Sequence, residues 1–132
     1  MRPPDGNIDP DMWITDDTRE DWIGLQVDDR TGEKIGTIRE VLVDPETQLT
    51  WLRVQMGRFV RQFTLVPVIG EAIAARGHVQ VDIRRYDVRE APRPISPDAW
   101  QTGSFRSLLY RHYGLTGLPR NRRASGLVAA RP

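Results

Sequence analysis

The chain has 132 residues, 39% of them hydrophobic, and a net charge of +1, which is the size and balance of one ordinary domain with tails. It has no cysteine, which excludes disulfides and thiolate metal ligands, and its two histidines, His78 and His112, are too few for a histidine-rich zinc site. Its longest apolar stretch, Val66 to Ala75, is broken by Pro67, Gly70 and Glu71 and falls short of the roughly 20 residues that a membrane span needs.

Charge is unevenly placed. Residues 1–21 carry seven acids against Arg2 and Arg19, and residues 116–132 carry Arg120, Arg122, Arg123 and Arg131 with no acid. Eighteen of the nineteen cationic residues are arginines; the single lysine is Lys34. The Pro/Asp-rich segment 1–21 reads as a flexible leader, and it lacks the apolar core of a signal peptide, so the expected compartment is the cytoplasm.

From Trp22 the pattern changes to that of a mainly β domain, expected over 22–95. "WIGLQV" (22–27) alternates Ile23, Leu25 and Val27 onto one face, and "DDRTG" follows as a turn that Asp28 or Asp29 starts. Residues 34–43 form a second strand that does not keep one phase. Ile38 falls on one parity and Val41 and Val43 on the other, so a bulge near Arg39–Glu40 is expected. "DPET" then turns the chain, with Asp44 at the first position and Pro45 at the second of a type I turn. Turn chemistry therefore explains Asp44, Glu46 and Thr47 better than a reactive site does. Residues 49–56 resume as a strand with Leu52, Val54 and Met56 inward and Trp51, Arg53 and Gln55 outward.

"RQFTLVPV" (61–68) is a further strand closed by Pro67, and "IGEAIAARG" reads as a loop. "HVQVDI" places Val79, Val81 and Ile83 inward and His78, Gln80 and Asp82 outward. "RRYDVREAP" makes one or two helical turns that Pro92 ends. Residues 96–115 are expected to hold a C-terminal helix. Ser96 is its N-cap, or Ser104 that of a shorter one; Phe105, Leu108, Leu109 and His112 share one face, and Gly114 lies past the end. The tail 116–132 reads as disordered. Five to six short antiparallel strands followed by a helix predict a small barrel or strongly bent sheet rather than a parallel βαβ fold.

In order and spacing these motifs resemble the PRC-barrel family. The likeness rests on "DRTGEKIGTIREVLVDPETQLTWLRVQMG", "FTLVPV", "YDVREAPR" and "LLYRHYGL" and spans about Trp22 to Leu115; the last of these resembles the ending of bacterial stress-associated members with a C-terminal helix. Gln48 stands where many members have glycine; at positive φ it costs on the order of 1 kcal/mol relative to glycine. "DAWQTGSF" replaces a more acidic run. The resemblance implies a PRC-type β-barrel acting as an adaptor, without cofactor, similar to the reaction-centre H-subunit barrel and to a ribosome-maturation factor domain that docks on a small-subunit protein. A shared fold does not transfer a function.

The candidate chemistry is correspondingly thin. Ser96, Ser104, Ser107 and Ser125 with two histidines offer few nucleophile–base pairs, and Asp28 with Asp29 or Asp82 with Asp87 are the available carboxylate pairs. The expectation is a non-enzymatic interaction module that forms a homodimer and binds a protein partner through Trp51, Arg53, Gln55, Arg58 and Arg61. For Trp51 the alternative is packing beneath the C-terminal helix of its own chain. RNA or single-stranded nucleic acid binding through Arg53, Arg58, Arg61 and the basic tail is the alternative function. Against it stand a core net charge of only +2 over residues 22–115 and an acidic leader.

Overall fold

The computed structural model describes residues 13–57, 62–94 and 99–115. β1 (Ile14–Thr15) is followed by a 3₁₀ segment, Asp17–Trp22, then by β2 (Gln26–Asp28), β3 (Lys34–Val43), β4 (Thr50–Met56), β5 (Gln62–Pro67), β6 (Ile73–Ala75) and β7 (His78–Gln80). Two helices close the described chain, α1 (Arg85–Arg89) and α2 (Gly103–His112), with a 3₁₀ turn at Ala99–Gln101 between them. The domain is mainly β, one seven-stranded sheet in the order β5-β4-β3-β2-β7-β6. β1 pairs with β3 off that path, and the sheet does not close on itself among the described residues.

β3 organises the sheet. Its first half pairs with β2 and its last two residues pair with β1, while β4 runs along its other side. The expected bulge is present as a register shift between Ile38 and Glu40. It brings Ile38 and Val41 into the same interior despite their opposite parity, and increases the local bend. At Gly36 the strands come so close that a Cβ would sit 2.3 Å from the Gln55 carbonyl oxygen and 2.7 Å from Val54 Cγ1.

Two apolar cores result, one on each face of the β3–β4–β5 ribbon. The first lies inside the bend and contains Val27, Ile38, Val41, Leu52, Val54, Val66, Val79 and Val81, with α1 closing it through Val88. The second lies outside and contains Leu42, Leu49, Trp51 and Leu65 beneath Phe105, Leu109 and Tyr110 of α2. Trp13 completes it, edge-on to Trp51 and stacked against Trp100, and its indole N–H donates to the Trp100 carbonyl.

Several expectations change. The segment 13–21, read as part of a flexible leader, supplies β1 and the buried Trp13. "WIGLQV" is strand only from Gln26, because the 3₁₀ segment ends at Trp22 and Gly24 takes φ +93°, leaving Ile23 exposed. "IGEAIAARG" is no plain loop. Ala75 pairs with His78 across Arg76 and Gly77, which both have positive φ, the two-residue turn that suits a right-twisted hairpin. That hairpin carries β7 alongside β2 in the one parallel pairing of an otherwise antiparallel sheet. In α2 the buried stripe is Phe105, Leu109 and Tyr110; Leu108 is exposed, and the N-cap is Thr102. Ser96 lies outside the described residues.

Gly36→Ala should destabilise the domain by about 1–3 kcal/mol, since backbone rather than a flexible side chain stands where the methyl must go. Urea unfolding checks this through a lower midpoint at unchanged slope.

Candidate interaction surface

The acidic turn after β3 is a structural latch. Asp44 is fully buried, and its Oδ1 accepts from the Glu46 backbone N–H at 2.9 Å, as a turn aspartate should. Gln48 closes the turn at φ +63°, the left-handed conformation that glycine would adopt with less strain. The same carboxylate reaches α2. Tyr110 donates its hydroxyl to Oδ2 at 2.5 Å, and Arg106 Nη1 lies 3.3 Å from Oδ1 while its other arm pairs with Glu46. Thr47 Oγ1 lies 2.7 Å from the Tyr110 hydroxyl. Burial first, and then the hydrogen bond to Asp44, push the Tyr110 pKa well above its ordinary value, so the phenol stays protonated and donating.

Asp29 does the equivalent work at the other turn. Its Oδ1 accepts from Thr31 N, Thr31 Oγ1 and Glu33 N, and its Oδ2 accepts from Arg85 N at 3.1 Å, fastening the start of α1. Burial alone would raise this carboxyl, but the hydrogen bonds together outweigh it and hold its pKa below the ordinary aspartate value.

The remaining ionisable candidates do not converge. Asp28 accepts from Gln26 and lies 2.8 Å from His78 Nδ1; Asp82 pairs with Arg30, and Asp87 with Arg84. His112 packs on Tyr113 with Nε2 2.6 Å from the Asp87 carbonyl. Ser104 lies against the Thr102 hydroxyl, Ser107 is exposed, and Ser125 is outside the described residues. No group of three or more His, Asp or Glu suited to a metal ion occurs among the described residues. No described helix is long and apolar enough to cross a membrane.

Trp51 is not available to a partner. It points away from the first core as expected, but α2 covers it completely, with Tyr110 and Tyr113 rings 5.4 and 5.9 Å from its own. Arg53 and Gln55 do face outward. Arg53 pairs with Glu40 and lies over the Phe63 ring at 4.4 Å, and Gln55 accepts from Arg39 at 2.9 Å. Arg58 and Arg61 lie outside the described residues, in the connection between Gly57 and Gln62.

Those two flanking residues line a groove that sequence reasoning did not single out. It consists of adjoining cavities of about 390 and 450 Å³ between α1 and the ends of β3 and β4. Ile35, Gly57 and Arg85 belong to both; Lys34, Thr37 and Gln55 line one end, and Arg89, Glu90 and Arg93 the other. Four cations thus face one acid. Lys34, Arg85 and Arg89 carry no side-chain ion pair or hydrogen bond among the described residues, and Arg93 Nε is buried without a partner. The signal was present as the arginine spacing of "RRYDVREAPR", where Arg85, Arg89 and Arg93 recur every four residues.

A family model described as PRC-barrel domain matches residues 15–87, more than half of the chain. No curated protein matches it.

Two predictions follow from the buried aspartates. Tyr110→Phe should cost about 1–3 kcal/mol, because it leaves a fully buried carboxylate one donor short; chemical denaturation with Trp fluorescence reads it. Asp29→Asn should also destabilise, but by an amount that depends on pH. A depressed carboxyl stabilises fully above its unfolded pKa and loses that contribution as pH falls through the folded value. The gap to wild type is therefore constant near neutrality and shrinks below about pH 4, which unfolding curves from pH 7 to 2 would register.

Proposed function

The chain belongs to the PRC-barrel domain family, and from that premise we propose that it is a non-enzymatic adaptor that self-associates and engages a protein partner. The partner surface is the outward row Arg53 and Gln55, the connection bearing Arg58 and Arg61, and the groove those flanks lead into. The observation that carries this reading is the cluster of cations around an open groove, where Lys34, Arg85 and Arg89 have no acid partner among the described residues, while Asp29 and Asp44 are spent on turns and helices. Exposed guanidinium groups in a concavity suit recognition of an anion through paired N–H donors.

Self-association has its own support. The sheet ends on β6, whose three residues are all exposed, with Ile73 more than half accessible. A short open edge with an apolar side chain is a natural place for a second copy to add its own strand.

Sedimentation at concentrations on the order of tens of micromolar should give a dimer, and Ile73→Lys should shift it toward monomer. A wild-type monomer under those conditions removes self-association. Affinity capture from native lysate at two salt concentrations, with and without nuclease, should retain a protein partner that nuclease does not release. Loss of all association on nuclease treatment would replace the protein partner with a nucleic acid.

A further inference from the structure

We propose that the groove between α1 and the ends of β3 and β4 binds an extended acidic peptide segment of a partner protein, with carboxylates at alternate residues. This names the partner chemistry for the adaptor reading above and rests on it.

The positions of the cations set the ligand's repeat. Arg85 and Arg89 stand one helical turn apart on α1, a rise of about 6 Å at 1.5 Å per residue. Alternate residues of an extended chain are separated by about 6.6 Å, so carboxylates on one side of such a chain meet the two guanidiniums in register. Guanidinium suits this task, because its fork takes a carboxylate through two parallel N–H donors. Lys34 stands at the other end of the groove, across the Gly36–Gln55 close approach, and Arg93, whose Nη2 donates to the Arg89 carbonyl at 3.1 Å, adds a further positive charge at the near end.

The walls favour a peptide over a nucleic acid. The accessible apolar lining is Met56 with the edge of Ile35, which takes the methylene stems of acidic side chains. Among the described residues no aromatic ring lines either cavity, whereas single-strand binders stack bases on aromatic platforms. The groove is also ready-made. Asp29 holds the first residue of α1 through Arg85 N, and Val88 is locked in the first core, so the helix that presents the arginines does not need to order on binding.

Fluorescence anisotropy on the full chain tests the proposal with three labelled probes at low salt. These are a dodecapeptide with glutamate at every second position, a peptide of the same composition with its glutamates in one block, and a twelve-nucleotide oligothymidylate. The alternating peptide should bind about tenfold more tightly than the blocked one, and Arg85→Gln with Arg89→Gln should weaken it about tenfold. Both arginines are exposed and without side-chain partners among the described residues, so the double variant should melt like wild type; Arg111→Gln, on α2, should leave binding unchanged. Equal binding of the two peptides, binding insensitive to the double variant, or tighter binding of the oligonucleotide overturns the assignment. A lysate partner that the double variant still retains would sink this inference while leaving the adaptor reading intact. Peptide binding in a chain that captures no partner would do the reverse.

Discussion

A bent sheet of short strands has two faces, and both of this one are apolar, so the domain depends on something covering the convex side. That cover is α2, and the interaction that places it is a single buried carboxylate at the tip of the β3–β4 hairpin. Asp44 is withdrawn from water and accepts from its own turn, from Tyr110 and from Arg106 together. An unpaired carboxylate at that depth would be strongly unfavourable, so the turn and the helix must arrive together or not at all. Trp51, Leu42 and Leu65 supply the greasy surface, but a greasy surface alone does not say which way a ten-residue helix lies across it. The carboxylate supplies that direction.

Asp29 repeats the device on the concave side, where it joins the β2–β3 turn to the first residue of α1. Both helices are too short to be stable in isolation, and each gets its position from an aspartate that also shapes a turn. The consequence for the surface is economical. Asp29 and Asp44 are turned inward to hold backbone and hydroxyl donors, Asp87 of α1 pairs with Arg84, and only Glu90 stands among the cations of the groove.

How much of this could be read from residues alone varies by element. The bulge at Arg39–Glu40 was legible because the apolar residues change parity across it, and an extra residue puts Ile38 and Val41 indoors together, although Val43 stays half-buried outside both cores. The turn role of Asp44 was legible from D-P-E-T, but its grip on α2 was not, since Arg106 and Tyr110 lie some sixty positions away. The β6–β7 hairpin was missed because Arg76 occupies a left-handed position that usually announces itself as asparagine or glycine. Trp13 was lost in an acidic leader whose composition resembles a flexible segment, although three tryptophans from distant parts of the chain meet there. Trp51 could be assigned to the outward side of β4, yet alternation does not tell a surface exposed to water from one under a helix. The groove was the least legible feature, because its arginines share spacing but its walls come from three separate segments.

That difference between core and surface bears on what kind of protein this is. Strand alternation, the turn aspartates and the close approach at Gly36 are what this chain's architecture depends on. The outward residues are under no such demand. Arg53 and Gln55 are each matched by a neighbour on the sheet, Glu40 and Arg39, so that part of the face is electrically self-contained. The cations of the groove are not matched, although Glu90 lies within the same lining. Holding like charges together around a concavity is a small but standing cost of mutual repulsion, which folding gains nothing by accepting. A fold stabilised elsewhere tolerates that cost, and negative charge brought into the groove would relieve it.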